Sequence, residues 1–385
     1  MKLINAKIYA LSNIDVIENG FIEINNNLIT NIGEMENYKI VGDEIDLKGK
    51  FLTPGFIDAH CHIGIFEDSI GFEGDDGNED TDPITPQLRA IDAINPFDKC
   101  FDEALTAGIT TVVSGPGSAN PIAGQIVALK TYGKTIEEMI VKQPLAIKIA
   151  FGENPKTVYH GKSLSPVTRM ATASLIREQL FKTKRYNEDI EKADADKDYD
   201  LPDFCAKNEA MLNVINKNIP VHAHAHRADD ILTAIRIAKE FDIKLVIIHG
   251  TDSQLVTDEL KNNGIPVLFG PALCDRCKPE LKNLSFKTVS KLFNNKIKTA
   301  IITDHPVVPI QYLPVCAALA VKEGLSYINA LKAITIIPAE ICKLDDKIGS
   351  LEIGKIADIV VFDKEPLDIL ANVDFVICSG NILKK

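Results

Sequence analysis

Five segments of this chain end an apolar, strand-forming run on a side chain able to hold a divalent cation. They are His60-Cys61-His62 after Gly-Phe-Ile-Asp-Ala, His224 within Val-His-Ala-His-Ala-His, His249 closing Leu-Val-Ile-Ile-His, Asp304 closing Thr-Ala-Ile-Ile-Thr-Asp, and either Lys148 or Glu153 in Leu-Ala-Ile-Lys-Ile-Ala-Phe-Gly-Glu. Imidazole nitrogens and carboxylate oxygens suit zinc and similar ions. A site with an open coordination position makes water a nucleophile near neutral pH. The pattern points to metal-assisted hydrolysis of a small-molecule substrate.

Side chains alternate faces along a strand, so His60 and His62 share a face while Cys61 points away, and one ion can hold both rings. The same alternation puts His222, His224 and His226 on one face, and spacing alone does not choose among them. His160, in Val-Tyr-His-Gly-Lys, and His305, between Asp304 and Pro306, are candidates to face substrate. Gly115-Pro-Gly-Ser-Ala-Asn-Pro121 is glycine-rich but lacks the lysine and the strand-to-helix setting of a phosphate loop. Cys274-Asp-Arg-Cys277 has no second Cys-x-x-Cys to complete a zinc site and reads as an ordinary loop.

The elements that must position these groups are also legible. Eight apolar runs are too continuous for half-solvated strands: Phe56-His60, Thr110-Ser114, Gln125-Lys130, Leu145-Phe151, Ile219-Ala225, Lys244-His249, Ile265-Phe269 and Thr299-Thr303. Segments of helical period lie between several of them, among them Asp98-Ala107, Asp229-Phe241 and Pro314-Glu323. Such alternation predicts a parallel sheet buried on both faces, which closes most economically into a (β/α)8 TIM barrel with reactive groups at the carboxyl ends of the strands. Residues 1 to about 50 and the tail from Gly349 read instead as short antiparallel hairpins broken by Asn and Gly, which predicts one small β-domain built from both ends. Two insertions stand out. The acidic stretch Gly71-Asp82 follows the first strand and is a candidate to touch substrate; the charged stretch from Lys182 to Tyr199 reads as a solvated helix or surface loop.

Composition narrows the function classes. The 385 residues are 45% hydrophobic and 25% charged, average for a globular chain, with net charge −12 and no basic stripe, which argues against nucleic acid. No stretch approaches the roughly 18 apolar residues of a membrane span, and the amino terminus reads as a strand rather than a signal peptide, so a cytoplasmic, non-membrane protein is expected. Eight cysteines, spread thinly and mostly in apolar segments, predict free thiols rather than disulfides.

Taken together, Thr53-Pro-Gly-Phe-Ile-Asp-Ala-His-Cys-His62, Ala107-Gly-Ile-Thr-Thr-Val-Val113, His224-Ala-His, Ile248-His-Gly250, Thr303-Asp304 and Gly349-Ser-Leu-Glu-Ile-Gly-Lys-Ile-Ala-Asp358 resemble the amidohydrolase superfamily, in its imidazolonepropionase-like branch. The resemblance implies a barrel over residues 54–344 and a β-sandwich from residues 1–53 and 345–385. It implies one or two divalent ions, with zinc expected, and it is compatible with homo-oligomers. His60 and His62 would hold the more buried ion with Asp304, which would double as general base. His224 and His249 would hold a second ion, leaving His226 as a substrate contact or support and His222 as structural. In many two-ion relatives a carbamylated lysine on the fourth strand bridges the ions, and Lys148 sits there. Other relatives use a glutamate at a strand end. Glu153 is then the better placed of the two, because Lys148 lies several residues deeper, where an amine is tolerated only if paired or modified. The implied reaction is hydrolysis of a C–N bond in an amide or cyclic amide: a dipeptide, an N-acyl amino acid or an imidazolone-like ring. A heterocycle deaminase using the same site and a catalytically silent scaffold are the alternatives.

Overall fold

The computed structural model describes residues 1–68 and 71–384. Five strands come from the amino-terminal stretch: β1 (Lys2–Tyr9), β2 (Val16–Asn25), β3 (Leu28–Glu34), β4 (Ile45–Asp46) and β5 (Phe51–Pro54). Eight follow: β6 (Phe56–Cys61), β7 (Ile109–Ser114), β8 (Ile122–Lys130), β9 (Ile140–Ala150), β10 (Val221–Ala225), β11 (Leu245–His249), β12 (Val267–Phe269) and β13 (Thr299–Ile301). The tail contributes β14 (Ile359–Phe362), β15 (Val373–Cys378) and β16 (Asn381–Lys384).

Strands β6 to β13 form one sheet in sequence order, and every residue of β6, β7, β10 and β11 is buried. Burial on both faces explains their unbroken apolar runs, since helices cover the outside while side chains fill the inside. The helix Ala228–Phe241 buries Ile231, Ala234, Ile235 and Ala238, an apolar stripe at helical spacing, and stops at Asp242, whose φ is 54°. The helix Lys99–Thr106 starts where the Asp98 side chain accepts the Cys100 amide, relieving one of the unpaired N–H groups of its first turn.

The sheet is not wholly parallel, contrary to the expectation. β8 runs antiparallel to both β7 and β9. Only residues 115–121 join β7 to β8, whereas a parallel crossover needs a dozen or more residues. Hydrophobic periodicity reports burial and says nothing of direction, so the sequence pattern could not show this.

The barrel closes where the candidate ligands are. β6 and β13 share no strand ladder, but just beyond them Asp304 N–H donates to the His60 carbonyl (3.3 Å) and His62 N–H to the His305 carbonyl (2.8 Å). Buried Asp58 ties the same seam: its carboxylate accepts the His60 amide (3.2 Å), the Thr303 amide (3.2 Å) and the Thr303 hydroxyl. Burial pushes the Asp58 carboxyl up to about 7 despite those donors.

Strands from both chain ends build a second sheet in the order β16-β15-β14-β5-β1-β2-β3, with β4 beside β1. These strands form one continuous hydrogen-bonded path. Its own core includes Leu3, Ile8, Ile22, Leu52, Ile359 and Ile377. Residues 182–195 of the charged insertion belong to one helix, Arg169–Ala195, that buries Ile176, Leu180 and Tyr186 and exposes most of its charges, and residues 196–199 form the turn beyond it. Among the described residues no helix is long and apolar enough to cross a membrane.

Candidate metal centre

The carboxyl ends of β6, β10, β11 and β13 bring the histidines together in two groups of buried donors. In the first, the Asp304 carboxylate lies 3.4 Å from His60 Nε2 and 3.3 Å from His62 Nε2. His62 Nδ1 is 2.7 Å from the Gly115 carbonyl. A carbonyl only accepts, so Nδ1 carries a proton and the ring is oriented with Nε2 toward Asp304. Lys148 Nζ reaches within 3.0 Å of His60 Nε2 and is fully buried. Burial lowers its ammonium to about 8, so a neutral amine is within reach near physiological pH.

In the second group, ligand atoms of His224, His226 and His249 lie within 4.8 Å of one another. β10 and β11 are parallel neighbours with Ala225 opposite His249, whose φ of 73° departs from strand geometry, and the His224 and His249 ring centroids lie 4.4 Å apart. His249 Nδ1 donates to the Gly270 carbonyl at 2.6 Å. Gly270 has to be glycine, because its φ is 147° and a Cβ would sit 2.1 Å from the Ile302 carbonyl oxygen. His226 Nδ1 pairs with the Thr251 hydroxyl at 2.8 Å. His224 is buried, yet neither ring nitrogen has a hydrogen-bond partner among the described residues.

Electrostatics agrees with a cation site. Burial lowers His60, His224 and His249 well below the ordinary imidazole range and His226 to about 3, so these rings are neutral and offer lone pairs. For Asp304 burial acts to raise the carboxyl, but His249 and the hydrogen bonds from His60 and His62 overcome it, so it lies well below its ordinary value. Converging neutral imidazoles, an ionised carboxylate and a buried histidine with unpaired nitrogens fit a divalent ion of the zinc type. His60, His62 and Asp304 would hold one ion and the His224 group another, with Lys148 next to the first. Asp304 (φ 54°) and His249 (φ 73°) both take the left-handed backbone region, a cost of order 1–3 kcal/mol each for such residues.

Other predicted residues fall elsewhere. Glu153, the better placed bridge on sequence grounds, opens the helix Glu153–Gly161 and belongs to neither donor group; it lines a neighbouring cavity with His160 and Arg227. The strand ends at Ala150, so the intervening Phe-Gly turn carries Glu153 past the rim, while Lys148 points inward. His226 stands beside His224 and His249 as a potential ligand rather than only a substrate contact. His160 is exposed, and His305 is buried with Nδ1 accepting the Ile310 amide. His222 is buried, with both ring nitrogens unpaired among the described residues.

Both donor groups open into a cavity of about 360 Å³. Phe66 and Leu281 give it apolar walls, and Asn78 from the acidic insertion, Ser118, Asn154 and Lys278 supply polar groups. Lys278 Nζ donates to Asn154 Oδ1 (2.7 Å), and Asn154 Nδ2 donates to Ser118 Oγ (2.7 Å). The free thiols of Cys274 and Cys277 belong to the same wall. Sequence reasoning missed Glu280, a buried carboxylate 4.0 Å from His224 Nε2 and 3.8 Å from His226 Nε2. It lies in a single 3-10 turn, Pro279–Leu281, with no strand-end pattern to mark it.

Comparison with known proteins matches these features. A solved amidohydrolase from Thermotoga maritima MSB8 superposes with a TM-score of 0.96 at 42% identity, covering 100% of both chains. An amidohydrolase, tasK, of Hapsidospora irregularis is 26% identical over 91% of this chain, which spans only 38% of that protein's length. An imidazolonepropionase of Picrophilus torridus is 25% identical over 91% of this chain and 87% of its own. The model of the amidohydrolase family matches residues 51–384, and on that match, with the imidazolonepropionase relatives beside it, the chain belongs to the amidohydrolase family, in its imidazolonepropionase-like branch.

Proposed function

We propose that the protein hydrolyses the C–N bond of a small amide that bears a carboxylate, an N-acyl amino acid or a dipeptide, with zinc as its ion. The observation that carries this reading is the pair of buried donor groups at the floor of one cavity whose mouth holds a lysine. A bound divalent ion supplies polarisation of the carbonyl and acidification of water. Asp304, ionised and at the cavity floor, accepts the water proton at a carboxylate oxygen and delivers it to the departing nitrogen. Lys278, oriented by Asn154, meets the substrate carboxylate at the rim, while Phe66 and Leu281 pack against its apolar part and exclude water. About 360 Å³ suits a ligand of this size.

A deaminase reading has one supporting observation: a 5'-deoxyadenosine deaminase of Methanobrevibacter smithii is 22% identical over 94% of this chain. One assay separates the two. Zinc-loaded protein is offered N-acyl amino acids, dipeptides, cyclic amides, purines and pyrimidines, with carboxylate release and ammonia release followed separately. Turnover of carboxylate-bearing amides, lost with a chelator and restored by zinc, supports hydrolysis. Ammonia release from a heterocycle alone would sink it.

A further inference from the structure

Glu280 has no part in the reading above, and its surroundings are hard to account for without a cation. The side chain is 3% exposed. Its Oε2 accepts the Glu153 amide at 3.2 Å, but Oε1 has no hydrogen-bond partner among the described residues. That oxygen faces His224 Nε2 at 4.0 Å and His226 Nε2 at 3.8 Å. Neither ring nitrogen of His224 has a hydrogen-bond partner among the described residues. The Lys278 ammonium is 3.9 Å from Oε1, beyond hydrogen-bond reach and already engaged with Asn154. The neighbouring carboxylate Asp230 is already paired with Arg169 at 2.9 and 3.1 Å, so that guanidinium is engaged away from Glu280 Oε1. A buried carboxyl oxygen left without a hydrogen-bond partner, beside a buried imidazole that also lacks one, is costly unless a bound group satisfies both.

We propose that Glu280 is an acidic ligand of a divalent ion held by the His224, His226 and His249 group. Donors about 2.0–2.2 Å from a common ion at tetrahedral angles lie about 3.3–3.6 Å apart, so the 4.0 and 3.8 Å separations need Glu280 Oε1 to draw in by only a few tenths of an ångström when an ion binds. The proposal also provides what this group lacks: its three imidazoles bring no negative charge, whereas the His60 and His62 pair has Asp304. It rests on the metal-dependent reading of the site, and the two can fail separately.

The test is Glu280→Gln, titrated as chelator-stripped protein with Zn²⁺ and Co²⁺ against a competing chelator, with melting followed in parallel. The first equivalent should bind as in the wild type, and the second should weaken at least 10- to 100-fold, the scale seen when even an outer partner of a ligand is removed. The stripped variant should melt no lower than the stripped wild type, because glutamine can still accept the Glu153 amide and its NH2 can donate to a histidine lone pair. Zinc should then raise its melting temperature less. A second equivalent bound within twofold of wild type overturns the proposal, as does a lower melting temperature with metal binding intact. If Glu280→Gln does not fold, Glu280→Ala and Glu280→Asp replace it, and a second ion bound no more tightly by Asp than by Ala overturns it. Wild-type protein that takes up one ion overturns the Glu280 assignment alone; uptake of none overturns the metal reading as well.

Discussion

The two donor groups are built by different means. His60, His62 and Asp304 come from the seam where β6 meets the end of β13, so their positions depend on strands brought together by barrel closure and on the Asp58 ties to Thr303. His224 and His249 come from adjacent parallel strands, and the β10–β11 register together with the left-handed backbone at His249 (φ 73°) places them. The first group contains an ionised carboxylate within 3.4 Å of both imidazoles, while the second has only Glu280, about 4 Å away from a different loop. Coulomb attraction in a buried site favours the group with the nearer charge. The two sites should therefore fill in order, first the Asp304 site and then the His224 site.

The largest effect that would break this comparison belongs to Asp304. Asp304→Asn should lower kcat by roughly 10²- to 10⁴-fold, the usual range for loss of a general base, with a much smaller change in KM. Steady-state kinetics on zinc-loaded protein checks it, and a pure KM effect would remove Asp304 from the proton transfer. Next comes metal content. His62→Ala should abolish the tighter equivalent and His249→Ala the weaker one, as read by elemental analysis after dialysis at graded free zinc.

Lys148 and Glu153 sharpen the comparison further. Lys148→Met should weaken both equivalents by about 10- to 100-fold if the amine, or a group built on it, bridges the ions, and only the first if it serves His60 alone. Glu153→Gln should leave both within twofold, and a loss of either would restore Glu153 as the bridge.

The smallest effect concerns the seam. The Asp58 carboxyl stands at about 7 in the folded chain and near 3.9 when unfolded. A raised acid stabilises the fold fully below the unfolded value, and that contribution is lost as pH rises through the folded one. Stripped wild-type protein should accordingly lose stability between about pH 4 and pH 7 relative to Asp58→Asn. Denaturant midpoints across that window measure the slope, and parallel curves would refute the assignment.

Much of this was legible in the residues. Apolar runs marked the barrel strands because burial on both faces demands them, and the Lys99–Thr106, Ala228–Phe241 and Leu313–Lys322 helices fall where helical period placed them. The His-x-His pairs announced themselves because side chains two apart share a face. The direction of β8 and the choice between Lys148 and Glu153 were not legible. Each depends on where a short turn sends the chain, and a one-residue change of register reverses which face a side chain takes.

The sequence by itself determined which strands would be buried and that their ends would carry donors, since periodicity is a local consequence of where water is excluded. Only the tertiary structure decided how the donors divide. Closure of the seam gave Asp304 to His60 and His62, and the ends of β10 and β11 with the Thr251 contact set His226 beside His224 and His249. A loop far along the chain brought the Glu280 carboxylate against them. Distances across a barrel are fixed by closure and packing among distant segments, and no local pattern of residues encodes them.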